Sequence, residues 1–199
     1  NVLTREAPSA SRKFFCLMLV FLIALADQIS KWFITEIIFK PRLGLSEQGF
    51  IDWLMHAPER LGPIRIEIAS FCNFVMVWNE GVSFGMMNSM GDIGPFILIG
   101  LSLIVSLVLL IWMFGSADRA QGIAFALIIG GAIGNVIDRA RFGAVIDYID
   151  LHAFGYHWPA FNIADCTIVI GIVFVIVHAL FFDRESHHND EKNAYQERK

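Results

Sequence analysis

Residues 93–114 run for 22 positions without a single charged side chain. A helix rising about 1.5 Å per residue crosses a hydrocarbon layer of ~30 Å in ~20 residues, so this one stretch commits the chain to a membrane. Three further stretches have the same character. Residues 14–26 are unbroken apolar sequence that continues past Asp27 through Trp32, Phe33 and Ile34. Residues 122–137 are shorter and glycine-rich, and residues 163–182 carry only Asp165 and His178. An even number of spans places both termini on one side.

Composition supports the same class and excludes others. Only 17% of the 199 residues are charged and 56% are hydrophobic, against about 25% charged in soluble domains. A net charge of −4 with no clustered Lys or Arg argues against a nucleic-acid partner. Cys16, Cys72 and Cys166 are widely spaced and contain no CxxC pair, so neither a disulfide framework nor a zinc site is expected. Arg12-Lys13, the apolar run and Ala24-Leu25-Ala26 imitate a secretory leader, but the apolar pattern continues beyond that point and an uncleaved anchor is the better reading. The Arg12, Lys13 and Arg184 flanks favour cytoplasmic termini.

Between the spans the pattern changes period. Ile64-Arg65-Ile66-Glu67-Ile68 alternates as a half-exposed strand does, residues 74–78 continue as a run rich in strand formers, and residues 145–151 suit a third strand. Pro41, Gly44, Gly49, Pro58, Gly62 and Pro63 mark residues 41–63 as loop, with a short helix over 50–56. The predicted fold class is a mainly α membrane protein: four transmembrane helices at about 14–34, 93–114, 122–137 and 163–182, a small extracytoplasmic β-cradle and a periplasmic loop with a short helix. Extracytoplasmic segments are expected at 35–92 and 138–162, and cytoplasmic tails at 1–13 and 183–199.

Within this apolar frame the costly residues are the informative ones. An ionisable group at mid-helix costs about 2.5–3.5 kcal/mol on insertion scales, so those at membrane depth face a cavity, a partner or a reaction. Asp147 and Asp165 each sit in a polar motif beside an apolar stretch, and two such carboxylates invite an acid/base reading. Asp138 is a third candidate on spacing alone. Asp27 and Lys31 stand at i, i+4, the spacing of an intrahelical ion pair, and are read as a structural polar pair. Gly130-x-x-x-Gly134 has the small-residue spacing that lets membrane helices approach closely. His152 and His157, with Asp150 and Asp165 nearby, could ligate a metal, but beside Tyr156 and Trp158 the histidines read better as polar tips at headgroup level, and no metal or cofactor is expected.

Five blocks occur together and in order: Asp27-Gln28-x-x-Lys31, Asn79-x-Gly81-x-x-Phe84-Gly85, Gly130-Gly131-x-x-Gly134-Asn135-x-x-Asp138-Arg139, Val145-Ile146-Asp147 and Phe161-Asn162-x-Ala164-Asp165. Over residues 14–182 the chain resembles the lipoprotein signal peptidase (signal peptidase II) family. The resemblance implies an aspartic endopeptidase of the bacterial inner membrane, with Asp147 and Asp165 as the catalytic dyad at the extracytoplasmic face. The implied substrate is a diacylglyceryl-modified prolipoprotein cut on the amino side of the lipidated cysteine. Asn79, Gly81, Asn135, Asp138, Arg139 and Asn162 are then expected to bind substrate or shape the site, Asp138 joining Arg139 and Asn135 in a buried polar network. Membrane lipids are the remaining expected partners, and the protein is expected to be a monomer. Cys166 stands where the family commonly has Ser, and the stretch between Lys40 and Arg65 is longer than usual. The alternative is a proton-coupled membrane transporter using intramembrane carboxylates, against which stand the lack of a repeat and the placement of every motif at one membrane face.

Overall fold

The computed structural model describes residues 9–81, 93–116 and 118–181. Helix α1 (Ala10–Trp32) starts at Ser9, whose side chain accepts the Arg12 N–H, as an N-cap should. It does not stop where the apolar run ends. A π-helical segment, Phe33–Phe39, and the short α2, Lys40–Arg42, extend it by more than two turns. The wider turn brings Thr35, Glu36 and Phe39 inward, where Glu36 pairs with Lys40 at 2.8 Å and accepts the Gln48 N–H at 2.7 Å. Helix α3 (Phe50–Met55) follows, then the antiparallel strands β1 (Arg65–Ala69) and β2 (Cys72–Asn79). The remaining elements are α4 (Gly94–Gly115), α5 (Arg119–Phe142), β3 (Val145–Ala153), β4 (Tyr156–His157) and α6 (Ile163–Phe181).

Four helical stretches are long and apolar enough to cross a membrane: Ala10–Arg42, Gly94–Gly115, Arg119–Phe142 and Ile163–Phe181. They are not equivalent. Helices α4 and α6 bury almost nothing inside the protein and present Val, Ile, Leu and Phe outward, the all-round apolar character that lipid solvates. Helix α5 is the central one, packed against α1, α4 and α6. Its glycines make that possible. A Cβ at Gly130 would lie 2.7 Å from Ile23 Cβ of α1, and one at Gly131 would lie 2.4 Å from the Ala164 carbonyl of α6. Backbone contact of this kind is the packing that membrane helices use in place of a hydrophobic driving force.

Two expected boundaries shift. Helix α5 runs to Phe142 rather than 137, so Asp138 and Arg139 join Asn135 in its last turns instead of opening an extracytoplasmic segment. It stops at Gly143 (φ +70°), whose N–H bonds the Arg139 carbonyl at 2.9 Å, a left-handed C-terminal cap that suits glycine. The segment expected to leave the membrane at residue 35 likewise stays helical to Arg42. Phe182, both tails beyond these limits, and Phe84 and Gly85 of the second block lie outside the described residues.

The sheet has the order β1-β2-β3-β4, antiparallel throughout. Central strand β3 is buried on both faces over its first half. Below it lies a core of Ile34, Phe39, Trp53, Met76, Phe142, Ile146 and Tyr148, which welds the sheet to the ends of α1 and α5. The long segment around α3 belongs to this core. Trp53 is fully buried, and the Arg141 guanidinium covers its ring at 4.1 Å.

Candidate functional site

Helix α6 begins with a reciprocal pair of bonds. Asn162 Oδ1 accepts the Asp165 N–H at 3.0 Å, and Asp165 Oδ2 accepts the Asn162 N–H at 3.2 Å. This is a capping box with the carboxylate at the third helical position, so the signal that starts the helix also aims Asp165. The other oxygen, Oδ1, accepts from Asn135 Nδ2 of α5 at 2.9 Å.

Asp147 arrives from the opposite direction, on β3. Its register opposite Val77 of β2 brings Asn79 within reach, and Asn79 Nδ2 donates to Asp147 Oδ2 at 2.9 Å. Asn79 is itself held by the Gly81 N–H, which donates to its Oδ1 at 2.8 Å. Gly81 takes φ +82°, a value bulky side chains resist, which accounts for glycine two residues after asparagine. The second Asp147 oxygen accepts from Asn162 Nδ2 at 2.8 Å. One residue, Asn162, therefore grips both carboxylates, by its side chain and by its backbone.

Asp147 is 1% exposed, and no cation bonds it among the described residues. Burial pushes its carboxyl up to about 7; the bonds from Asn79 and Asn162 and the Lys31 charge pull the other way, and the Asp165 charge adds to the rise. A buried carboxyl next to another carboxyl is the environment in which one proton is retained near neutrality.

The third aspartate has different company. Asp138 Oδ2 pairs with Lys31 Nζ at 2.8 Å and accepts the Ile146 N–H at 3.0 Å, while Oδ1 accepts from Gln28 Nε2 at 2.9 Å. Lys31 also pairs with Asp27 at 2.7 Å, all three side chains being fully buried. Asp27 Oδ1 in turn accepts the Ala164 N–H at 3.1 Å. The expected Asp27–Lys31 pair is thus present within a larger cluster that ties α1, α5, β3 and α6 together. The expected grouping of Asp138 with Arg139 and Asn135 runs through Lys31, which bonds both Asp138 and Asn135. Asp138 bonds α1, Asn135 links Lys31 (3.3 Å), Asn162 (3.2 Å) and Asp165, and Arg139 lies within electrostatic reach of Asp165, Asp138 and Asp147, its buried Nε having no hydrogen-bond partner among the described residues. A Cβ at Gly134 would meet Asp27 Oδ2 at 2.5 Å, so the bare helix face there is what admits the cluster.

Two contributors escaped the sequence reading. Gln28 bridges Asp27 and Asp138, and its place beside Asp27 in the first block was the available signal. Arg60, from the long segment before β1, donates to Glu80 at 2.6 Å and to the Phe142 carbonyl at 2.5 Å, and covers the Trp78 ring at 5.3 Å. It braces the Asn79 turn against the end of α5, and no local pattern announces it. His157 bonds Asp150 at 2.8 Å and stacks on His152; no group of three or more metal-binding side chains gathers among the described residues.

Four apolar helices, a small sheet at their ends and two amide-held carboxylates where sheet and helices meet define a polytopic membrane protein built around paired aspartates. The model for signal peptidase (SPase) II matches residues 19–181, and the chain belongs to that family. The lipoprotein signal peptidase of Methylobacterium radiotolerans is 45% identical over 129 residues, 65% of this chain and 71% of that protein. That of Pelagibacter ubique is 41% identical over 133 residues, covering 65% and 76%. A bacterial membrane enzyme solved by the in meso method shares the fold with a TM-score of 0.64 at 23% identity, over 90% of this chain and 99% of the other.

Proposed function

We propose that Asp147 and Asp165 form the catalytic dyad of an endopeptidase that removes signal peptides from prolipoproteins. Family membership carries the activity: the chain is a signal peptidase II of a bacterial inner membrane, and the transporter alternative finds no support. The single observation behind the residue assignment is the shared grip of Asn162, which sets the two carboxylates side by side with amide partners and, among the described residues, no cation bonded to either.

With Asp147 held up to about 7 beside Asp165, the dyad retains a proton near neutrality, and that proton gives its members separate tasks. The ionised member takes a proton from water as the oxygen attacks the scissile carbonyl. The protonated member polarises that carbonyl and then supplies a proton to the departing amine. The roles belong to the dyad and not to a fixed member of it. Asn79, Gly81, Asn135 and Asn162 hold the geometry. Arg139 supplies positive charge beside the dyad, and Asp138, Asp27 and Lys31 lock the helices beneath it.

In this reading residues 14–182 form one peptidase domain, monomeric in the lipid bilayer, with both termini cytoplasmic and the dyad at the extracytoplasmic face. The substrate carries diacylglycerol on its future N-terminal cysteine and is cut on the amino side of that cysteine. The test supplies a diacylglyceryl-modified prolipoprotein to the detergent-purified protein. Asp147→Asn and Asp165→Asn, compared at equal folded amounts, should each lower turnover by at least the ~10²–10⁴-fold expected for loss of a general acid or base. Wild-type rates in either variant would sink the dyad.

A further inference from the structure

The hairpin that closes the sheet has a backbone and a composition unsuited to water. Between β3 and β4 the chain turns through Phe154 (φ +53°) and Gly155 (φ +79°). Two-residue turns with both residues left-handed favour Asn-Gly or Gly-Gly, and a bulky side chain at positive φ is a genuine outlier. Nothing inside the protein offsets that strain, because Phe154 is 109% exposed, as open as in a free chain. Tyr156 and Trp158 are exposed beside it. Exposed Phe71 in the β1–β2 turn joins them, its carbonyl accepting the His152 N–H at 2.9 Å. From Leu151 to Phe161 the chain has no Asp, Glu, Lys or Arg.

The position of this rim indicates what covers it. Four residues separate Trp158 from the start of α6, and α6 shows Val169, Ile170 and Val173 outward, the surface that lipid wets in a multi-pass membrane protein. The aromatic rim is tethered to the first turn of that helix by this short connection. Trp and Tyr rings favour the membrane boundary because one end of each is apolar and the other polar. We propose that the β3–β4 hairpin is an interfacial anchor, with Phe154 at its tip and Tyr156, Trp158 and Phe71 around it seated in the boundary between headgroups and acyl chains. Its root is fixed by the bonds of Asp150 to His157 at 2.8 Å and to Asn73 at 2.7 Å, so the tip is held rigidly against the sheet. Asp147 lies six residues before Ala153 on the same strand, roughly 20 Å away at the rise of an extended chain. With α6 holding one end and the hairpin the other, β3 lies along the bilayer surface and keeps the carboxylate at constant depth.

The experiment uses the full chain in phospholipid vesicles whose acyl chains carry bromine either near the glycerol end or near the methyl end. The Trp158 signal is taken as the difference between wild type and Trp158→Phe. The anchor predicts that the shallow label removes about half or more of that signal and the deep label much less, as for an indole at headgroup level. Phe154→Asp should reduce the shallow quenching, whereas Phe154→Trp in the Trp158→Phe background should restore it. Phe154→Asn, which suits the turn, should keep the fold while weakening the quenching. A Trp158 signal indifferent to both labels and fully open to aqueous iodide would overturn the proposal and leave the rim to a soluble partner.

Discussion

Two clusters of carboxylates adjoin at the start of α6, where Asp27 bonds Ala164 and Asp165 follows, and they are satisfied in opposite ways. Asp27 and Asp138 share the Lys31 ammonium, with Gln28 and two backbone N–H groups completing the set. Among the described residues, Asp147 and Asp165 receive only amide donors. A cation shared between two buried carboxylates locks charge in place and resists proton exchange. Amide donors orient a carboxylate without fixing its charge, which leaves it free to gain and lose a proton. The difference separates a structural aspartate from a reactive one more sharply than depth does, since Asp138 and Asp147 are both buried.

The comparison breaks most violently at its cation. Lys31→Met strands two carboxylates in an apolar setting, and removal of one partner from a buried pair costs about 3–5 kcal/mol; the expected outcome is loss of most folded protein, read by thermal unfolding in detergent. Next in size is Asn162→Ala. It removes the α6 cap, worth about 0.5–2 kcal/mol, and releases both reactive carboxylates, for which about a 10²-fold fall in turnover is expected from misplacement. A comparable loss in stability with unchanged turnover would show that the cap matters and the grip does not.

A smaller effect tests the protonation difference itself. With Asp147 raised to about 7 from an ordinary 3.8, the folded state binds this proton more tightly than the unfolded chain. Its contribution to stability is therefore full under acid conditions and declines as pH rises from about 4 to about 7. Turnover should fall along a limb near pH 7 as the dyad loses its retained proton. Asn79→Ala removes a donor that favours the charged carboxylate, so that limb should move to higher pH; a shift in the other direction would contradict the assignment. Arg60→Ala is the mildest change. Its partly exposed pair with Glu80 is worth under about 1 kcal/mol, yet by loosening the Asn79 turn it should displace the same limb the same way, by less.

Much of this was legible in the sequence, for reasons that also explain the misses. Residues 93–114 and 163–182 declare themselves because lipid permits no periodic polar face. The strands around 64–68, 74–78 and 145–151 declare themselves by alternation and β-forming residues. The expected end of α5 falls short because Asp138, Arg139 and Arg141 resemble a loop by composition. They are helical because α1 supplies partners for the polar face, and the Lys31–Asp138 contact spans more than a hundred residues that no local window covers. The same holds for Thr35, Glu36 and Lys40, whose polarity conceals a π-helical continuation. The assignment of Asp147 and Asp165 over Asp138 came from family resemblance; residue spacing alone left the three aspartates undivided.

The bonds around the dyad also have a direction. Gly81 donates to Asn79 and Asn79 to Asp147, while Asn162 donates to Asp147, to Asn135 and, through its backbone, to Asp165, which Asn135 supplies as well. Each relay of donors terminates on a carboxylate oxygen, and the amides cannot simply turn round, because Gly81 pins Asn79 and Lys31 with Asn162 pins Asn135. An asparagine put in place of either aspartate would set its own NH₂ against a donor already there. Isosteric in outline, such a variant is mismatched in polarity, so Asp→Ala companions with their own stability measurement are the proper controls for any loss of turnover.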